Sequence, residues 1–265
     1  MSSEKINKIS LKHLIIILIF LVLGLGGSVV YDNFNSETIK IANWNLQVFG
    51  QAKAGNLNLM NFYADKIDDY DIVFVQEIRD ASGTAFPKLC ALLENYTCVA
   101  SSRAGRTSSK EQYGVIYKNG IELVELEDFN LDELDRWERP PIKIDFLVGN
   151  YSLRIYNIHA KPDDVQRELD YLESVVANQG NVIVLGDLNA DCSYYDNEKE
   201  TEFDFWNWVI SDDADTTSSA TDCAYDRIIL NHDAYEEFKN SGMKKQGITK
   251  EVSDHYLVWV EVKSE

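Results

Sequence analysis

The sequence predicts one mixed α/β domain behind an N-terminal export segment. Three observations carry that prediction. Apolar runs of strand length recur from one end of the chain to the other, stretches with helical spacing fall between only some of them, and no repeat, low-complexity tract or proline-rich linker interrupts residues 31–265. Where strand candidates follow one another directly, antiparallel pairing is expected, so the domain is not a simple doubly wound one. With 45% hydrophobic and 11% aromatic residues among 265, the chain can build a core that needs no lattice of disulfides.

The export segment comes first. Lys5, Lys8 and Lys12 form a basic flank, and Leu14 to Val30 is an aliphatic run that just reaches the roughly 17 to 25 residues needed to span a bilayer. It is either a cleaved signal peptide or a retained anchor; a buried core helix would show a polar face, and none interrupts the run. In both cases residues 1–30 deliver a single domain, 31–265, outside the cytoplasm, secreted or membrane-associated, with the lysines left inside.

The domain opens with IKIANWNL (39–46), which alternates apolar and polar positions as a strand does. Leu57, Leu59, Met60, Phe62, Tyr63 and Ile67 then recur near helical period, predicting a helix over 56–70, and DIVFVQEI (71–78) is a continuous run suited to a buried strand. A second helix is expected over 84–94. Short strands are expected at 98–101, 113–117, 121–126, 142–148 and 152–159. Pro162 opens a third helix over 162–177, with Asp163 and Asp164 at its positive end. NVIVLGDLNA (181–190) is a buried strand ending in polar residues, 202–210 (EFDFWNWVI) a short amphipathic helix, and 225–230 and 255–262 the last strands.

Charge excludes one class of function. Asp and Glu number 44 against 25 Lys and Arg, a net −19, so the chain is not a basic nucleic-acid scaffold. A polyanionic substrate would have to be held by a few local Arg and Lys side chains and by divalent cations bridging carboxylates to phosphates.

The polar residues at strand ends suggest where. Asn45, Glu77, His159, Asp187, Asn189 and Asp226 all stand at the edge of apolar runs, where an unpaired charge is unfavourable. Singly, such an Asp is a turn or cap residue and such a His a structural one; it is the collection that points to a site. Oxygen donors without a Cys or His cluster at zinc spacing suit Mg²⁺, Mn²⁺ or Ca²⁺. Of the 4 His, His159 and His255 lie beside these residues and are placed to move protons near neutral pH.

WNLQVFG (44–50), VQEIRD (75–80), GRTSSKEQY (105–113), NIHAKP (157–162), GDLNADCSYY (186–195), DADTTSSATDCAYDRI (213–228) and SDHY (253–256) together resemble the endonuclease/exonuclease/phosphatase superfamily, on its deoxyribonuclease I branch. The likeness runs from about Ile39 to Val262. It implies a four-layer α/β/β/α sandwich of two packed mixed sheets flanked by helices. It also implies that Asn45, Glu77, Asp187, Asn189 and Asp254 hold Mg²⁺ or Mn²⁺ and the scissile phosphate, and that His159 and His255 are the acid/base pair, oriented by Glu111 and Asp226. Arg79, Arg106 and Arg139 match positions that touch DNA. Cys192 and Cys223 match a structural disulfide, and Asp215, Thr217 and Thr221 match a calcium loop, with Ser219 replacing a threonine; the same loop also reads as a plain surface turn. Cys90 and Cys98 have no counterpart and are either two unpaired core residues or a second bridge. Ser109 stands where the family has a tyrosine that enters the minor groove, which implies a weaker grip on duplex DNA.

The implied activity is exported, metal-dependent, low-specificity endonucleolytic hydrolysis of DNA leaving 5′-phosphates. With no protein partner evident, a monomer is expected. A lipid or inositol phosphodiesterase or phosphatase of the same superfamily is the competing enzyme reading. An inactive binding subunit is the third, disfavoured by the presence of both histidines and all the matched acids.

Overall fold

The computed structural model describes residues 36–196, 199 and 201–264, so the expected export segment lies outside the described residues. In chain order the strands are β1 (Thr38–Phe49), β2 (Ile72–Ile78), β3 (Tyr96–Ala100), β4 (Gln112–Lys118), β5 (Glu122–Asp128), β6 (Ile142–Val148), β7 (Tyr151–Asn157), β8 (Asn181–Asp187), β9 (Asn207–Trp208), β10 (Asp226–Leu230), β11 (Phe238–Lys244) and β12 (Leu257–Lys263). The helices are α1 (Gln51–Ala54), α2 (Leu57–Ile67), α3 (Ala85–Cys90), α4 (Val165–Val175) and α5 (His232–Glu236).

The strands form two six-stranded sheets, ordered β11-β12-β1-β2-β4-β3 and β5-β6-β7-β8-β10-β9. Among the described residues only β1/β2 and β7/β8 pair in parallel, and both are joined by helical crossovers, as a parallel pair requires. Alternation along the strands explains the layering. In β2, Ile72 and Phe74 enter the core between the sheets while Val73 and Val75 face α2 and α3; in β8, Ile183 and Leu185 face inward while Val182 and Val184 meet Val165, Leu169 and Leu172 of α4. Both faces of these strands are buried, which is why they read as unbroken apolar runs. The expected four-layer sandwich is the observed one.

One expectation needs correction, and one strand was not expected. The segment 202–210 is not a helix: Phe205 is 94% exposed, i to i+3 turns run from Thr201 to Trp206, and Asn207–Trp208 joins the sheet edge beside β10. Trp208 stacks on Tyr195 and covers the Arg227 guanidinium, which an extended backbone allows. The polar edge strand β11 escaped the sequence reading because FKNSGMK has no apolar alternation. Disulfides join Cys192 to Cys223 and Cys90 to Cys98, the latter tying α3 to β3 and settling the open alternative.

Candidate functional site

The site is the polar end of the inter-sheet core. Along one face of four strands and the residues that continue them, apolar residues give way to polar ones: Ile39, Ile41, Asn43 and Asn45; Ile72, Phe74 and Gln76; Leu153, Ile155, Asn157 and His159; Ile183, Leu185 and Asp187. Antiparallel β10 begins at the same edge with Asp226, opposite Asp187.

Three fully buried amides pin these ends together. Gln76 Oε1 accepts the main-chain N–H of Asp187 at 2.9 Å and its Nε2 donates to the Ile158 carbonyl at 2.8 Å, while Asn157 Nδ2 donates to Asn43 Oδ1 at 2.9 Å. Gly186 (φ +153°) lets β8 pass close to the chain that leaves β7 and to Gln76 of the facing sheet, since a Cβ would lie 1.9 Å from the Ile158 carbonyl oxygen and 2.9 Å from Gln76 Nε2.

Glu77 breaks the strand parity. β1 and β2 both bulge at the site, and Gln47, Val48 and Glu77 adopt φ of 45°, 53° and 59°. Left-handed backbone costs about 1 to 3 kcal/mol per non-glycine residue, and it persists here because the turn is over-determined. Val48 N–H donates to Glu77 Oε2 at 2.8 Å and Gln47 N–H to Asn45 Oδ1 at 2.9 Å, while Asn45 Nδ2 donates to Asp187 Oδ2 at 3.0 Å and Glu77 Oε1 at 3.3 Å. Asn189 (φ 50°) gives its Nδ2 to the Ala160 carbonyl.

The histidines flank this centre. His159 Nε2 lies 3.3 Å and His255 Nε2 3.5 Å from Asp187 Oδ2; behind them, His159 Nδ1 meets Glu111 Oε1 at 3.3 Å and His255 Nδ1 meets Asp226 Oδ2 at 2.7 Å. Asp254 Oδ1 is 3.8 Å from His255 Nε2. The SDH turn is fixed from below, with Ser253 Oγ donating to the Asn45 carbonyl at 2.6 Å and Trp44 Nε1 to the His255 carbonyl at 3.0 Å.

Electrostatics follow the surroundings. Burial pushes the Glu111 carboxyl up, but His159, Arg139 and Arg79 outweigh it and hold it down at about 2. Burial, with no arginine in contact, lifts Asp226 to about 6. Burial disfavours the charged His255 ring, but Asp226 and Asp187 dominate and raise it to about 10, so its proton is tightly held. Asp187 stays low despite burial because both histidines face it.

The remaining predicted residues divide. Arg79 bridges Glu77 (3.0 Å) and Glu111 (3.8 Å). Arg139, expected to touch substrate, has a side chain only 13% exposed, and its Nε and a terminal N–H go to Glu111 and to the His159 and Ala160 carbonyls. Arg106 is held by Asp135 and Glu138. Asp215, Thr217 and Thr221 do meet: Asp215 Oδ1 accepts from Thr217 N–H and Oγ1 at 3.1 Å, and the two threonine hydroxyls lie 3.1 Å apart. Glu77, Glu111 and His159 form one cluster of convergent donor atoms, and Asp187, Asp226 and His255 another. Hard carboxylate and amide oxygens without thiolates fit Mg²⁺, Mn²⁺ or Ca²⁺.

The Endonuclease/Exonuclease/phosphatase family matches residues 42–255. Deoxyribonuclease-1 of Gallus gallus is 32% identical, with 86% of this chain and 94% of that protein covered, and Deoxyribonuclease-1 of Homo sapiens is 33% identical, with 73% and 77% covered. Among solved structures, a humanized D. rerio TDP2 superposes with a TM-score of 0.66 at 15% identity, covering 85% of this chain and 99% of that one. D. rerio TDP2 complexed with single strand DNA product gives 0.61 at 16% identity, covering 85% and 99%. At such identities these two speak for the fold alone.

Proposed function

Since the chain belongs to the endonuclease/exonuclease/phosphatase family, we propose that it is an exported, divalent-metal-dependent endonuclease that hydrolyses DNA phosphodiester bonds with low sequence specificity, leaving 5′-phosphates. The observation that carries this is the paired arrangement of His159–Glu111 and His255–Asp226 around a single Asp187 oxygen. Deoxyribonuclease-1 relatives matched over most of the chain support DNA as the substrate.

Asn45, Glu77, Asp187, Asn189 and Asp254 would hold Mg²⁺ or Mn²⁺, which supplies charge neutralisation at the phosphate oxygens. The protein's own groups do the rest. One imidazole takes the proton of the attacking water and the other returns a proton to the departing O3′, each ring held by the carboxylate behind its Nδ1. Gln76 keeps Asp187 and Ile158, hence His159, in fixed register. The exposed edge of Arg79 offers a phosphate contact, and Arg106 would reach DNA by exchanging Asp135 and Glu138 for phosphate. Asp215, Thr217 and Thr221 would take a structural Ca²⁺. The basic flank, the aliphatic run and two disulfides support export, because disulfides persist in oxidising compartments.

The test is supercoiled plasmid incubated with the purified full-length protein in Mg²⁺ plus Ca²⁺, and in EDTA. Nicking in the first and none in the second is expected. A folded protein that leaves the plasmid intact with metal, yet hydrolyses sphingomyelin or an inositol phosphate, would overturn the reading.

A further inference from the structure

α4 carries a carboxylate that this chemistry does not use. Glu168 is fully buried where the helix packs on the outer face of the second sheet. One carboxylate oxygen accepts the main-chain N–H of Glu138 at 2.6 Å and the other that of Lys161 at 2.9 Å, while the Glu168 carbonyl accepts Trp137 Nε1 at 2.9 Å. An enclosed carboxylate with no cation in direct contact is a costly choice for a helix that otherwise buries Val165, Leu169 and Leu172.

The partners explain the choice. Glu138 directly precedes Arg139, and Lys161 directly follows Ala160. These two segments meet again one step nearer the reacting centre, where Arg139 Nε donates to the His159 carbonyl at 2.8 Å and another of its nitrogens to the Ala160 carbonyl at 3.0 Å, with Glu111 Oε1 3.0 Å from Nε. The Ala160 carbonyl also accepts Asn189 Nδ2 at 3.0 Å. One clasp therefore supports His159, its carboxylate and Asn189.

We propose that Glu168 is a positioning residue for the hydrolysis: it binds the 137–139 and 159–161 segments to each other so that Arg139 stays wedged between Glu111 and the carbonyls that follow β7. The inference rests on the deoxyribonuclease reading of the site. Glu168 touches neither substrate nor reacting atoms and acts through Arg139. A misplacement of the order of 1 Å at a catalytic group costs about 10²-fold in rate, and a neutral isostere that turns one acceptor into a donor would loosen one of the two segments.

The experiment compares wild type, Glu168→Gln and Leu169→Ala, the last removing apolar contact from the same helix. For Glu168→Gln, kcat for plasmid nicking is expected to fall at least tenfold with KM for DNA changed less than threefold, and the ¹⁵N–¹H signal of Arg139 Nε to shift or broaden. Leu169→Ala should lower Tm yet keep kcat within twofold. Unchanged kcat together with an unmoved Arg139 signal in Glu168→Gln would overturn the proposal. So would an equal loss of kcat in Leu169→Ala, which would assign the effect to helix stability alone. If wild type itself cuts no DNA, the deoxyribonuclease reading fails, and the Arg139 signal decides the clasp by itself: moved supports it, unmoved refutes it. Should Glu168→Gln not fold, Glu168→Asp, which retracts the carboxylate by one methylene, is expected to show the same split at smaller size; wild-type kcat in that variant would contradict the proposal.

Discussion

His159 and His255 approach the same Asp187 oxygen, at 3.3 and 3.5 Å, but the carboxylates behind them live in opposite surroundings. Glu111 is enclosed with Arg139 at 3.0 Å and Arg79 at 3.8 Å as well as His159, and its carboxyl is held at about 2. Asp226 meets His255 at 2.7 Å with no arginine ion pair, and its carboxyl is lifted to about 6. The two pairs share a motif and differ in what surrounds it. Glu111 neutralises a group of cations and so belongs to the fold as much as to the reaction; Asp226 serves one imidazole, and together with Asp187 fixes its proton.

The sharpest way to break the comparison is to remove each ring. His159→Ala and His255→Ala should each lower kcat for plasmid nicking by about 10²- to 10⁴-fold, the usual worth of a positioned acid or base, with circular dichroism unchanged; activity within tenfold of wild type in either would end its assignment. Next in size is Glu111→Gln, which leaves the Arg139 guanidinium beside His159 without its anion and Arg79 with Glu77 alone. A loss of about 3 to 5 kcal/mol in unfolding free energy is expected from urea titration, and a loss below about 1 kcal/mol would show that Glu111 serves His159 alone.

The same contrast appears against pH. A carboxyl whose folded pKa is depressed contributes stability above its unfolded value and loses it as pH falls toward the folded one. For Glu111 that window runs from 4.5 down to about 2, worth about 3 kcal/mol. Stability curves of wild type and Glu111→Gln should converge across it; parallel curves would contradict the cation-held carboxylate. The smallest effect expected is that of Asp226→Asn, with kcat down about 10²-fold and unfolding free energy changed by less than about 1 kcal/mol, because burial already disfavours the charge.

Much of this was legible in the sequence, and the reason is parity. Asn45, His159 and Asp187 continue the inward-facing positions of apolar strands, so their place at the polar end of the core follows from counting by twos. Asn43, Gln76 and Asn157 carried the same signal and were passed over, since an isolated amide in a strand reads as a surface position. Glu77 is off parity and reaches the site only through bulges in β1 and β2 that no local propensity announces. Glu168 stands on the buried stripe of α4 with Val165, Leu169 and Leu172, but a lone acid on such a stripe shows no role until Trp137 and Glu138 fold onto it. The 202–210 segment misled because its aromatics suit a helix face, whereas Trp208 is drawn to Tyr195 and Arg227 at the sheet edge.

In the proposed reaction the two rings have separate tasks, one taking a proton from the attacking water and the other giving one to the departing O3′. This division can be read with DNA carrying a single 3′-bridging sulfur at the scissile position, a leaving group that departs without needing a proton, cleaved by His159→Ala and by His255→Ala under single-turnover conditions. The sulfur substrate is expected to restore cleavage in one variant, which identifies the acid, and to leave the other as slow as on ordinary DNA. Restoration in neither variant, or equally in both, would contradict it.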